Sequence, residues 1–264
     1  MPTVLDVSRF LEEYAPPQLA ESWDNVGLLV GSPAQTVRRI MTCLTVTLQT
    51  ADEAVREGAD LIVSHHPLPF RPLPRLTTET LPGRLLLQLV RHGAAIYSPH
   101  TAFDSARRGI NQRLAEMLQL SEIRPLIENP GAADGLGAGR FGRLATPMPL
   151  SDVADRLRRN LRLERLQCVG DLDQPVRVAA VACGSAGEFV RTAIGAGCDL
   201  LILGETNFHT CIEAEAGGLR LLLTGHFGSE RFGVEHLAEA IAERFPDVRV
   251  WPSADERDPL RFIG

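Results

Sequence analysis

The chain has 264 residues, and 27 Lys and Arg against 33 Asp and Glu give it a formal net charge of -6. Apolar residues make up 44% and charged residues 23%, which is ordinary globular usage and excludes intrinsic disorder. The length predicts about two domains, and the mild acidity disfavours a protein that binds a nucleic-acid backbone.

The composition also indicates a cellular compartment. No apolar run approaches the ~18–20 residues of a membrane span, and the first residues lack the basic and apolar regions of a signal peptide. The cysteines are odd in number and never spaced CxxC: Cys43, Cys168, Cys183, Cys198 and Cys211. We therefore predict reduced thiols in a soluble, cytoplasmic, globular protein, and we interpret Cys43, Cys183 and Cys198 as inert core residues.

Helical and strand signals alternate along the first half of the chain. Apolar spacing predicts helices at residues 4–14, 51–57, 85–91 and about 109–118. A short apolar run covers 26–30, and buried strands are predicted at 39–46, 60–63 and 94–97. Strands that are apolar throughout and separated by helices are typical of parallel sheets covered on both faces, so the predicted fold class is α/β with mainly parallel or mixed sheets.

A Gly-rich and Ala-rich stretch at 128–142 is the candidate linker between a first half (1–127) and a second half (143–264). It contains Gly137-x-Gly139-x-x-Gly142, the spacing of a dinucleotide-binding loop. That loop needs a strand before it and a helix after it, and a loop precedes it here. We therefore interpret 128–142 as a flexible junction.

The chain repeats itself with an offset of 139 residues, because residues 37–66 align without gaps on 176–205. Gly58 falls on Gly197, and Asp60 falls on Asp199. Later in each half comes a histidine followed four residues on by a carboxylate, as His100 and Asp104 and as His226 and Glu230. This ordered series predicts two related α/β halves about a pseudo-twofold axis.

Imidazoles follow three of the apolar strands. His65 and His66 come after the second strand of the first half, and His100 and His226 follow later strands of the two halves. Ligands collect beyond the carboxyl ends of parallel strands. His100 and Asp104, like His226 and Glu230, would share one face of a helical turn. The pattern therefore predicts convergent metal ligands.

The adjacent histidines bear on how many ions bind. Neighbouring residues on a strand face opposite ways, so His65 and His66 reach one ion only if the chain turns between them, which Pro67 favours. Two ions that share a bridging carboxylate make the geometry easier. Imidazole and carboxylate without thiolate suit Zn, Fe, Mn, Co or Ni.

Structural interpretations also exist for these residues. The His65-His66-Pro67 segment alone could be a capped strand end, and the pair His226 and Glu230 could be an ordinary helical hydrogen bond. The occurrence of both motifs on matching strand ends favours the metal site. The other histidines receive the structural interpretation: His92, His209 and His236.

The motifs taken together resemble the YbgI-like family of Nif-three-type dinuclear-metal proteins, often named GTP cyclohydrolase I type 2 homologues. The segments that carry the resemblance, over nearly the whole chain, are Trp23-Asp24-Asn25-Val26-Gly27-Leu28, residues 60–67, His100-Thr101-Ala102-Phe103-Asp104 and residues 225–231. The resemblance implies that two divalent ions are bound by His65, His66, Asp104, His226 and Glu230. Asp104 and Glu230 would be the shared carboxylates, and His100 would be a pocket or proton-transfer residue.

The resemblance also implies an assembly. Family members contain two α/β halves and form a ring-shaped homohexamer with metal sites facing its interior. Here the metal site would lie between the halves, and residues 225–264 would return to complete it. With only 128–142 between the halves, the chain resembles the short form of the family. Residues 204–209 depart from the family pattern, since Phe208 and His209 stand where small polar residues are usual.

Two functions from different classes follow. The first is a metal-dependent hydrolase, like a GTP cyclohydrolase, acting on a nucleotide or another small phosphorylated or cyclic compound. The second is a non-catalytic, ring-forming scaffold that handles metal or binds partners. A water-accessible metal site and a substrate-sized pocket favour the first. A third hypothesis, nucleic acid inside the ring, is disfavoured by the charge of -6.

Overall fold

The structure is a computed structural model that describes residues 1–132, 136–261 and 263. The helices are α1 (Val4–Tyr14), α2 (Leu48–Glu57), α3 (Leu81–His92), α4 (His100–Ser105), α5 (Ile110–Met117), α6 (Leu150–Asn160), α7 (Val190–Gly195), α8 (Phe208–Ala216) and α9 (His226–Arg244). The longer strands are β1 (Gly27–Val30), β2 (Arg39–Cys43), β3 (Leu61–Ser64), β4 (Ala95–Ser98), β5 (Ser121–Arg124), β8 (Arg140–Pro149), β9 (Gln167–Val169), β10 (Pro175–Ser185), β11 (Leu200–Glu205), β12 (Arg220–Leu223) and β13 (Arg249–Pro252). Two short strands, β6 (Ile127–Glu128) and β7 (Gly137–Ala138), pair with each other.

The chain forms two compact units. The first unit comprises Met1–Phe103 and Gly233–Gly264, and the second unit comprises Asp104–Phe232. Within the described residues, no helix is both long enough and apolar enough to cross a membrane.

The first unit contains a five-stranded sheet in the order β1-β4-β3-β2-β13. Strands β4, β3, β2 and β13 are parallel, and β1 is antiparallel to β4. One face of this sheet packs against α2 and α3, where Met41, Ile62 and Ile96 are fully buried against Leu85 and Leu89. The predicted α/β class with buried parallel strands is confirmed here.

The second unit contains a six-stranded mixed sheet in the order β5-β8-β10-β11-β12-β9. Its central strands β10, β11 and β12 are parallel, and the strands outside them are antiparallel. Ala180, Leu201 and Leu221 form its core with Val190 of α7 and Ala214 of α8. Together the two sheets confirm the mixed part of the predicted fold class.

Local capping explains where the helices begin and end. The predicted helix at 4–14 is α1, in which Thr3 and Asp6 form a capping box at the first turn. The predicted helix at 51–57 starts earlier, at Leu48, because the Thr47 hydroxyl accepts from the Thr50 N–H. It ends at Glu57, as predicted, and Gly58 caps it. The predicted strand at 39–46 is shorter and ends at Cys43.

The internal repeat is confirmed in the pairing of the strands. Strands β2 and β3 pair in parallel, and so do β10 and β11. Their Cα partners are identical under the offset of 139: Ile40 with Leu61, Met41 with Ile62 and Thr42 with Val63 correspond to Ala179 with Leu200, Ala180 with Leu201 and Val181 with Ile202. Connectivity and register are therefore the same in both copies, and the pseudo-twofold arrangement remains a prediction.

In both copies, the connection between the two parallel strands ends in the same way. Gly58 and Gly197 adopt left-handed backbone angles, with φ of 68° and 71°, after their helices. The Asp60 carboxylate accepts from two backbone N–H groups, and the Asp199 carboxylate does the same. The donors are Arg38 and Arg39 in the first unit and Arg177 and Val178 in the second. The carboxylates therefore fix the start of β2 and of β10.

The units divide at positions other than the predicted boundaries of 127 and 143. The segment from Gly233 onward belongs to the first unit, because β13 adds to the sheet beside β2. The stretch 128–142 lies within the second unit, although residues 133–135 are outside the described residues. The described parts pair as β6 with β7, and the buried Arg140 guanidinium donates to the carbonyls of Gly137 and Gly139.

Candidate metal centre

In the first unit, three imidazoles meet beyond the carboxyl ends of β3 and β4. His65 and His66 directly follow β3, and His100 begins α4, two residues after β4 ends. Their ring centroids lie 5.1 Å apart for His65 and His66, 5.2 Å for His65 and His100, and 5.5 Å for His66 and His100. One ring nitrogen of each lies within 4.8 Å of the others. Three imidazoles at these separations could hold one divalent ion.

The chain bends at His65 and His66, directly after β3 ends at Ser64. The His65 N–H donates to the Cys43 carbonyl at 2.9 Å, and the His66 N–H donates to the Leu44 carbonyl at 2.8 Å. The Ser98 hydroxyl donates to the His65 carbonyl at 2.6 Å. These bonds fix the backbone in a conformation in which the side chains of His65 and His66 both belong to the imidazole cluster.

Two of the imidazoles are oriented by neighbouring oxygens. His66 Nδ1 lies 2.7 Å from the Thr45 hydroxyl, and His100 Nδ1 lies 2.7 Å from Asp24 Oδ1. Metal-binding histidines commonly use their second ring nitrogen in this way, which fixes the ring. The Asp24 side chain is fully buried.

The Asp24 carboxylate is held in its charged form. Burial by itself would raise its pKa, but hydrogen bonds from His100, Thr101 and the Asn25 N–H, with the charge of His100, lower the pKa to about 2. A buried carboxylate is thus kept beside an imidazole at the edge of the cluster.

In the second unit, His226 lies between two carboxylates. Its Nε2 is 3.1 Å from Glu230 Oε2, one turn further along α9, and its Nδ1 is 2.9 Å from Glu205 Oε1 at the end of β11. Glu230 is 3% exposed. The hydrogen bond to Glu230 chiefly raises the pKa of His226, to about 9, with Glu205 adding to it against the opposing effect of burial. This negative environment favours a cation.

Asp104, also in the second unit, is held by a cysteine and an asparagine. The Cys183 thiol donates to Asp104 Oδ1 at 3.1 Å. Asn111 donates to the Asp104 carbonyl at 3.2 Å and accepts from the Cys183 N–H at 2.8 Å. Burial first, and then the charges of Asp104 and Glu230, raise the pKa of Cys183 well above its usual range. Cys183 is therefore a protonated thiol that donates to a predicted ligand, and its interpretation as inert stays a prediction.

Some of these contacts were not predicted from the sequence. Asp24 lies in the motif at 23–28, but its hydrogen bond with His100 became evident only from the structure. Glu205 is the repeat equivalent of His66, so the offset of 139 could have identified it. Thr45 and Cys183 gave no signal of their own. Within the loop at 204–209, Asn207 caps α8 and Phe208 is 74% exposed.

Each unit of this α/β protein thus carries, at the carboxyl ends of parallel strands, imidazole or carboxylate side chains of the kind that could bind a metal ion. The family model described as Duf34/NIF3 (NGG1p interacting factor 3) matches residues 2–259. The chain belongs to this family.

Individual relatives agree with that assignment. The chain is 34% identical over 259 residues to a GTP cyclohydrolase 1 type 2 homolog of Clostridium perfringens, with 98% of each chain covered. It is 32% identical over 262 residues to NIF3-like protein 1 of Drosophila melanogaster, covering 98% of this chain and 88% of that one. The crystal structure of a Bacillus cereus protein related to NIF3 covers 99% of both chains at a TM-score of 0.90 and 22% identity, and so shares the fold.

Proposed function

We propose that the protein binds two divalent metal ions and is a metal-dependent hydrolase of a nucleotide or another small phosphorylated or cyclic compound. The proposed ligands are His65 and His66 of the first unit and Asp104, His226 and Glu230 of the second. The observation that carries the proposal is the imidazole cluster of the first unit, in which one ring nitrogen each of His65, His66 and the neighbouring His100 lies within 4.8 Å of the others.

The donor chemistry fits such ions. Imidazole and carboxylate ligands suit Zn, Fe, Mn, Co or Ni, and a Zn–N distance of about 2.1 Å requires ligand nitrogens only a few ångström apart. The buried Glu230 and the carboxylate of Glu205 surround His226 with negative charge, which a bound cation would neutralise.

The residues of the chain have separable tasks in this proposal. Two bound divalent ions would supply Lewis acidity toward the bond to be hydrolysed. His65 and His66 would hold the ions, and Asp104 and Glu230 would be their shared carboxylate ligands. His100, held at Nδ1 by Asp24, is the candidate to move a proton.

A cavity favours the hydrolase over a non-catalytic scaffold. In the second unit, a cavity of about 640 Å³ is lined by Glu205, Thr206, Asn207 and Arg191 among others. Ligand sites typically have volumes of ~300–1,000 Å³. Since Glu205 also contacts His226, this cavity adjoins a proposed ligand.

Assembly and location complete the proposal. A homohexameric ring follows from the family resemblance and would be tested by light scattering. A cytoplasmic location is supported by the five cysteines, all of which are free thiols.

The test is a hydrolase panel on metal-loaded protein purified without an affinity tag. Nucleoside triphosphates, cyclic nucleotides and simple phosphate esters are compared for wild type, Asp104→Ala and His92→Ala. We expect hydrolysis in one class, its loss in Asp104→Ala and in chelator, and its retention in His92→Ala. Metal uptake without hydrolysis of any class would support the scaffold instead.

A further inference from the structure

Two large aromatic side chains stand exposed beside the imidazole cluster of the first unit. Trp23 is 61% exposed and Phe70 is 46% exposed. Their ring centroids lie 6.0 Å apart, and each lies 6.1 Å from the His100 ring, whose plane is steeply inclined to both of theirs, at 76° and 79°. A single exposed aromatic residue is common, but an adjoining pair against a polar cluster is a feature to explain.

The loop that carries Trp23 is fixed on both sides of that residue. The Glu21 N–H donates to the Thr101 hydroxyl at 3.0 Å, and the buried Asp24 carboxylate binds His100. The Asn25 side chain donates to the Pro69 carbonyl at 2.9 Å, next to Phe70. These bonds join the two loops to each other and to the first turn of α4. The backbone that carries the two exposed aromatic side chains is therefore fixed before any ligand arrives.

The chemistry of this surface selects a particular ligand. Aromatic faces bind planar rings by stacking, and bases stack on them regardless of sequence. The neighbouring group is the polar imidazole of His100 rather than an aliphatic side chain, which favours a ring with heteroatoms. We propose that Trp23 and Phe70 bind the planar heteroaromatic ring of the substrate, such as a purine. This inference rests on the proposed function, which it narrows to ring-bearing substrates.

The experiment compares two ribose phosphates, of which only one carries a heteroaromatic base. Metal-loaded full-length protein is titrated calorimetrically with guanosine 5′-monophosphate and with ribose 5-phosphate. We expect only the first to bind measurably. Trp23→Ala should weaken its binding roughly tenfold, the range expected when one base loses an aromatic partner, and Trp23→Phe should keep it within about threefold. Phe70→Ala should weaken it less than Trp23→Ala.

Matched controls separate the possible outcomes. Leu172→Ala removes another exposed apolar side chain, 48% exposed in the second unit, and should change nothing. Binding that is equal for both probes, or unaffected by Trp23→Ala, would overturn the inference. So would a loss of oligomeric mass in Trp23→Ala with unchanged binding, since a second copy would then cover the pair. If wild type takes up no metal, the proposed function itself fails, which the metal content of the same samples reports independently.

Discussion

The two copies of the repeat share a framework and differ at the ends of their strands. Segments 37–66 and 176–205 have the same register, the same left-handed glycine and the same capping aspartate. The first copy ends in Ser64-His65-His66, and the second ends in Leu203-Gly204-Glu205. The backbone pairing is thus the same in both copies. The copies differ in the side chains beyond the strands, which include the candidate metal ligands.

One device recurs in both units despite these different ends. His100 and His226 each begin a helix shortly after the third parallel strand, β4 or β12. Each places Nδ1 against a carboxylate, Asp24 at 2.7 Å or Glu205 at 2.9 Å. The carboxylate comes from a loop in one unit and from a strand end in the other. The arrangement, rather than the residue position, is what the units have in common.

The largest expected effect comes from Glu230→Ala, which tests whether the second unit contributes a bridging carboxylate. Removing it should lower the binding affinity for both ions by more than ~100-fold. Even the loss of an outer partner of a metal ligand lowers metal affinity ~10–100-fold. Thermal stability should fall more in metal-replete buffer than in chelator, because bound metal stabilises the folded state. Equilibrium dialysis and thermal unfolding measure the two effects.

The control for that variant is His92→Ala at the end of α3, which should leave metal content unchanged. If Glu230→Ala keeps both ions at wild-type affinity, the bridging role of Glu230 is wrong.

The next effect concerns Gly204, which stands in the second copy where the first copy has His65. A Cβ at Gly204 would lie 2.5 Å from the Gly184 carbonyl oxygen and 2.7 Å from the Ser229 hydroxyl. Gly204→Ala should therefore destabilise the protein by about 1–3 kcal/mol, measured by urea unfolding. Gly195→Ala is the control, since a Cβ there meets nothing within 4 Å. Equal stability of the two variants would contradict the close approach.

A smaller effect is expected at Cys183. The equivalent position in the first copy is Leu44, so the first copy has no thiol there. Cys183→Ala removes the donor to Asp104 and should lower metal affinity about tenfold, whereas Cys183→Ser retains a donor and should remain near wild type. Cys198→Ala, a buried cysteine of the same unit, should leave affinity unchanged. A Cys183→Ser variant as weak as Cys183→Ala would show that packing, not the hydrogen bond, matters.

The smallest effect tests the shared framework itself. Asp60→Ala and Asp199→Ala each leave two backbone N–H groups without their carboxylate acceptor. Each should cost about 1 kcal/mol in urea unfolding, and the two values should agree within about 0.5 kcal/mol. A large cost at one aspartate and none at the other would show that the equivalent contacts are not energetically equivalent.

Local signals predicted the framework well, and contacts distant in sequence were harder to predict. Helix α1 and the crossover ending at Gly58 follow from capping and periodicity, and the offset of 139 gave the strand pairing. The first unit's β13 could not be foreseen, because its partner β2 lies about 200 residues earlier. The same reason hid the contact of Asp24 with His100, which are 76 residues apart. Side chains that orient a ligand leave no periodic pattern.

The most direct test of the central claim is a metal titration of tag-free, metal-stripped protein. Binding of Zn²⁺ or Mn²⁺, followed by calorimetry and elemental analysis, should saturate at about two ions per chain. His65→Ala and His66→Ala should differ in which of the two binding steps they weaken. A plateau at one ion per chain, with the two histidine variants behaving alike, would contradict a dinuclear site.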